Sequence, residues 1–103
     1  MKQNKVLGML GLAKRAGKVV SGEFSVEKAV KAKQAYLVLV AEDASDNTKK
    51  NFRDMCSYYD TRLIMIGTKE DLGKSVGCQF RASVAVTDPG FSKAILDKIG
   101  EQA

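Results

Sequence analysis

Histidine is absent from the 103 residues. That removes the usual general base near neutral pH and the commonest metal ligand. No Ser-His or Cys-His pair can form. Cys56 and Cys78 stand 22 positions apart without a CxxC spacing, whereas a structural zinc site needs about four Cys or His ligands. Cys56 shares a helical face with Phe52 and Met55, as a small buried apolar residue would. Cys78 follows a glycine in a loop and reads as a free thiol. Paired acids occur at Glu42-Asp43 and Glu70-Asp71. The first pair follows a strand end, where α/β proteins often place function. A small enzyme built on it is one reading; a polar turn with helix-capping charge is the other. The stretch from Gly11 to Lys18, GLAKRAGK, looks like a phosphate loop. It has one residue too many between its glycines, and Val19 stands where Ser or Thr would bind magnesium. Gly8-Met-Leu-Gly11 has the GXXG form of a KH loop, but in the apolar context of a helix interior. These features argue for a non-enzymatic chain with no cofactor and no metal.

What remains is a basic constellation. Phe24, Lys28 and Lys31 recur at helical spacing, away from the apolar stripe of Val26, Ala29 and Val30. Gly22, Glu23 and Ser25 belong to the same first turn. A helix start offers unpaired N–H groups and partial positive charge, which suit a phosphate or a base edge. Lys28 can reach a guanine edge or a phosphate, and Phe24 can stack on a base. An ordinary solvated face with one exposed Phe is the competing reading. Lys14, Arg15 and Lys18 precede this helix and are expected to hold an RNA backbone electrostatically; as helix-terminal cations they would also favour the dipole.

The overall charge points the same way. Net charge is +5, but residues 1–34 carry eight basic and two acidic groups, while residues 35–103 carry nine and ten. The whole excess lies in the first third, and one-sided basicity is the footprint of a polyanion partner.

The elements that must position these residues alternate. Residues 4–16 read as a helix that Asn4 can cap and Gly17 can end, with Val6, Leu7, Leu10 and Ala13 inward. Gly8 and Gly11 within it each cost about 1 kcal/mol against alanine, for which close packing on a neighbour is the expected compensation. Val19-Val20 is a short strand, and residues 23–33 form the second helix. Residues 36–41 (YLVLVA) and 62–66 (RLIMI) read as strands covered on both faces. Between them, Thr48, Phe52, Met55 and Tyr59 mark the inward face of a helix over 46–59. Thr68 and Asp71 form a capping box for a short helix. Residues 83–87 are a strand, and Pro89 opens a last helix with Phe91, Ala94, Ile95 and Ile99 inward. This order predicts one domain over residues 1–103. Its fold class is α/β, a three-layer α/β/α sandwich with a mixed sheet of about four strands. A hydrophobic share of 45% suits a core that folds without disulfides. No apolar run approaches the roughly 18–20 residues of a membrane span, and no secretory signal is legible, so a cytoplasmic location is expected.

Taken in order, several segments resemble the kink-turn-binding ribosomal proteins of the L-seven-Ae and L-thirty-e type. They are Gly22-Glu-Phe-Ser-Val-Glu-Lys28-Ala, the strand YLVLVA with Glu42-Asp43-Ala44-Ser45, Leu72-Gly-Lys-Ser-Val-Gly77, and Ser83-Val-Ala-Val-Thr-Asp-Pro-Gly90. The opening GLAKRAGKVVSGE resembles the bacterial YlxQ-like branch of that family. The resemblance covers nearly the whole chain. It implies the same sandwich (L-thirty-e-like) and binding to kink-turn RNA, a bent helix–bulge–helix with tandem sheared G·A pairs. In the family, a Gly-x-Asn-Glu-x-x-Lys motif at the start of the second helix reads those pairs. Here Gly22 and Lys28 match, while Phe24 and Ser25 replace the Asn and Glu, and Glu23 is the nearest acid. The resemblance also implies a second contact, in which the loop before the last strand packs on the flipped-out bulge nucleotide. That loop is Gln79-Phe80-Arg81-Ala82 after Cys78. Lys69 falls where some members place a phosphate-contacting lysine. The expected partner is therefore structured RNA, ribosomal RNA and the ribosome among the compatible settings, bound by a monomer with no membrane contact. The alternative is a protein–protein module on the same fold, to which the altered Phe24/Ser25 pair would belong.

Overall fold

The computed structural model describes residues 4–102, and side chains within residues 5–100. Its elements run α1 (Asn4–Arg15), β1 (Val19–Ser21), α2 (Glu23–Lys31), β2 (Leu37–Val40), α3 (Asp46–Tyr58), β3 (Leu63–Met65), α4 (Lys69–Ser75), β4 (Ser83–Val86) and α5 (Pro89–Gln102). The strands form one mixed sheet in the order β1-β4-β2-β3. β4 pairs antiparallel with both β1 and β2, and β2 pairs parallel with β3. A parallel pair needs a crossover rather than a hairpin, and α3 supplies it. α2 packs on α3 over one side of the sheet, while α1 packs on α4 and α5, giving the three expected layers.

The apolar residues that drive this arrangement are the ones whose periodicity marks them. Every residue of β2 and β4 is buried, so these are the central strands, covered on both faces. Phe52, Leu10, Leu37, Leu39, Leu72 and Ile95 are the largest fully buried side chains. Burying such a side chain contributes about 1.5–3 kcal/mol each. β3 differs from expectation: Leu63, Ile64 and Met65 are only half-buried, because β3 is the edge strand beside β2.

Helix ends follow local chemistry. Ser45 caps α3 by accepting from Thr48 N at 3.1 Å. Thr68 and Asp71 form the capping box of α4. Asp88 accepts from Phe91 N at 2.9 Å to start α5. The Asn4 side chain, expected to cap α1, lies outside the described residues. α2 stops at Lys31, two residues short of expectation, since Lys33 turns into the left-handed region with φ 58°. Its N–H and that of Gln34 then return to Val30 O and Ala29 O, a Schellman closure. Gly17 and Gly77 close α1 and α4 in the same way.

Candidate functional site

Four structural features converge at the end of the sheet where β4 begins. β1 ends at Ser21, paired with Val84, and β2 ends at Val40, paired with Ser83. The chain then turns sharply into α2 at Gly22, whose φ of 92° and ψ of 150° lie where only glycine sits without strain. Gly22 N donates to Ser83 O at 3.1 Å, tying the turn to β4. Gly22 has no side chain with which to cap α2. By contrast α3, α4 and α5 each carry a side-chain cap. The first-turn amides of α2, at Glu23, Phe24 and Ser25, are thus left toward solvent with the positive end of the helix dipole.

The loop before β4 meets this turn through Arg81. Its Nε donates to Ser21 Oγ at 3.1 Å, and its guanidinium Nη1 to Phe80 O at 3.0 Å. Arg81 N donates to Lys69 O at 2.9 Å, and Lys69 N donates to Asp43 Oδ1 at 2.8 Å. One continuous chain of hydrogen bonds therefore links the β1 end, the loop, the α4 start and the turn after β2. The loop sits directly on α4 at Gly73. A Cβ there would lie 2.6 Å from Gln79 O and 2.8 Å from Phe80 Cα, so only glycine admits the loop. This seat holds Phe80 outward, 55% exposed.

Side-chain placement separates the expected site residues into groups. Glu23, Phe24 (79% exposed), Lys28, Lys69, Gln79 and Phe80 are exposed. Lys28 has no ion pair among the described residues. Lys31, three residues on, is held by Glu27 at 2.7 Å. The hydrogen bond that Lys31 donates to that carboxylate raises the Lys31 pKa above its ordinary value. Its charge is partly answered within α2. Ser25 and Arg81 are half-buried, and Ala82 packs against the core while its carbonyl accepts from Ala41 N. The Ala82 backbone thereby ties the loop to the turn after β2. A shallow groove of about 480 Å³ runs along Phe24, Glu27, Lys28, Lys31 and Ala32.

Lys14, Arg15 and Lys18 are not grouped with the α2 start. Lys18 lies at the other end of β1, where its carbonyl accepts from Thr87 N beyond the end of β4. Three extended residues, Val19 to Ser21, separate it from Gly22, and the four steps span roughly 13 Å at the usual strand rise. Lys14 and Arg15 line a different groove, against the end of α4. Adjacency in sequence had suggested one surface; β1 carries the chain from one end of the sheet to the other.

Two contributors escape a reading of motifs alone: Ser21 and Gly73. Gly73 had a legible signal, being a glycine inside a helix, which calls for a close approach. Asp43 and Asp71 both serve helix capping, and Glu70 pairs with Lys74 at 3.0 Å. Among the described residues no group of three His, Cys, Asp or Glu could hold a metal ion, and no helix is long and apolar enough to cross a membrane.

The chain is similar to known proteins both in sequence and in structure. The model of the ribosomal protein L7Ae/L30e/S12e/Gadd45 family matches residues 4–96. The chain is 47% identical over 88 residues to RNA-binding protein YlxQ of Bacillus subtilis (strain 168), covering 85% of this chain and 88% of that one. It is 34% identical over 91 residues to RNA-binding protein YlxQ of Enterococcus faecium, covering 88% and 87%. Among solved structures, a protein with unknown function from Bacillus halodurans C superposes with a TM-score of 0.89 at 38% identity, covering 93% of this chain and 97% of that one. A Giardia lamblia 15.5kD RNA binding protein superposes with a TM-score of 0.80, covering 97% and 86%; at 17% identity it bears on the fold alone.

Proposed function

Because the chain belongs to the ribosomal protein L7Ae/L30e/S12e/Gadd45 family, we propose that it is a non-enzymatic RNA-binding protein that recognises and stabilises kink-turn-type RNA. The observation that carries this reading is the joining of the uncapped α2 start to the loop before β4 by the Arg81–Ser21 hydrogen bond. That bond sets the first turn of α2, with the exposed Phe24, beside the loop that carries Phe80, and Lys28 follows on the last turn of α2. The similarity to two proteins named RNA-binding protein YlxQ supports it further.

The physical division of labour is direct. The α2 start offers N–H donors and positive potential to the RNA. Lys28, without a competing carboxylate, reaches a guanine edge or a phosphate in the widened groove of the bent RNA. Phe24 stands where the family has Asn and offers stacking in place of hydrogen bonds. Phe80, held out by the Gly73 seat, packs on an extruded base, a contact of about 1–3 kcal/mol where such stacking has been removed by mutation. Since these groups fit only the bent RNA, binding shifts the RNA population toward the bend. In a gel-shift titration with folded kink-turn RNA, Lys28→Ala is expected to weaken binding by about 1–3 kcal/mol, roughly 5- to 150-fold. An unchanged affinity would remove Lys28 from the contact surface.

A second reading, a protein-docking face, is favoured by one observation: Phe24 lies almost fully exposed along a groove. Salt separates the two. RNA binding falls steeply as salt rises, whereas an apolar contact centred on Phe24 holds.

A further inference from the structure

The groove between α1 and α4 is unused by the site above. It encloses about 700 Å³ and is lined by Gly8, Gly11, Leu12, Lys14, Arg15 and, across it, the α4 end from Lys74 to Gly77. Among the described residues, three cations line it and no carboxylate does. Neither Lys14 nor Arg15 has an ion pair among the described residues, and the Glu70 that pairs with Lys74 is not part of the lining. Leu12 is 51% exposed within the groove. The negative end of α4 is partly quenched, since Gly73 O and Lys74 O are taken by the amides of Val76, Gly77 and Cys78.

Gly8 and Gly11 were expected to pack closely on a neighbour. Gly11 does, with a Cβ position 3.5 Å from Ser75 O. Gly8 does not: among the described residues nothing lies within 4 Å of where its Cβ would be. Its cost to the helix, about 1 kcal/mol against alanine, meets no compensating contact among them. Bare helix backbone suits the close approach of a ligand.

We infer that this groove is a second RNA contact, taking a single-stranded stretch of phosphodiester backbone on Lys14, Arg15 and Lys74 with a nucleoside face against Leu12 and the bare backbone at Gly8. This rests on the RNA-binding reading above but not on its kink-turn part. Charge complementarity decides the occupant: three converging cations without a lining acid suit a polyanion. The groove lies apart from the α2 start, so it engages RNA beyond the bend and accounts for basic residues that the first face leaves idle.

The test is an amide-resolved NMR titration of the full chain with a short oligouridylate, which cannot form a kink-turn. The inference expects shifts at Gly8, Gly11 and Gly77. Gly8→Leu puts bulk into the groove without changing charge, and its Cβ meets no described neighbour, so it should abolish them. The triple change Lys14→Gln, Arg15→Gln, Lys74→Gln should flatten the log–log salt dependence by about 2, the value for three phosphate contacts on a single strand. Shifts absent from these glycines, unchanged binding in both variants, or groove binding indifferent to salt as an apolar protein segment would show, each overturns it. A parallel titration with kink-turn RNA should perturb amides from Glu23 to Lys28. Failure there alone counts against the kink-turn reading and leaves the groove standing.

Discussion

Single residues at the site divide into those left free at the surface and those that hold the loop in place. Arg81 has the charge to meet a phosphate, yet its Nε and Nη1 are committed to Ser21 and Phe80, so its first role is to fix the loop against the β1 end. Lys28 is free of such commitments and is the residue whose loss should register most plainly in RNA affinity. The cysteines make a separate residue-scale expectation. Burial pushes the Cys56 thiol up from 9.0 to about 11, whereas Cys78 is half-buried in the loop. A thiol reagent at mildly alkaline pH should modify Cys78 in the folded chain and Cys56 only on unfolding, as peptide mass mapping would show. The sign for stability follows. The folded state keeps the Cys56 proton where the unfolded state gives it up, so this contribution is complete below pH 9.0 and is lost as pH rises toward about 11. Rapid labelling of Cys56 in the native protein would contradict its place in the core.

At the scale of elements, the Thr68–Asp71 capping box, the apolar stripes of α2 and α3, and the strand runs over 36–41 and 83–87 were legible in sequence because each rests on local periodicity or a short-range hydrogen bond. The half-burial of β3 was not, because edge position depends on strand order, and nothing in RLIMI records which side of β2 it occupies. The same limit separates Lys14, Arg15 and Lys18 from the α2 start. Four positions look adjacent along the chain, but a strand carries them across the sheet. Gly73 belongs to this scale too, since its meaning lies in what α4 must admit. Gly73→Ala forces Cβ onto the Gln79 carbonyl, and overpacking of this kind costs about 1–3 kcal/mol. The expected result is a lower midpoint in denaturant together with weaker kink-turn RNA binding, as the loop carrying Phe80 lifts from its seat. Full stability with the alanine in place would mean that the loop has room to move.

For the molecule as a whole, charge and topology act together. Of the basic residues in the first third, Lys28 and Lys31 lie on α2 while Lys14 and Arg15 lie at the α1/α4 groove, so the fold divides these cations between two surfaces. Composition made the polyanion partner legible, while the division into two surfaces needed the fold. The resemblance in sequence likewise located the α2 motif and its departure at Phe24 and Ser25, but not the hydrogen-bond chain through Arg81 that joins it to the loop. The central claim is that this joined face favours bent RNA over straight. It is tested most directly by energy transfer between dyes on the two arms of a kink-turn RNA, titrated with the protein in parallel with an RNA whose sheared G·A pairs are replaced by Watson–Crick pairs. The predicted result is a saturable rise in transfer for the first RNA and none for the second, with binding of the second much weaker. Equal affinity for both RNAs, or binding of the first without any rise in transfer, would contradict it.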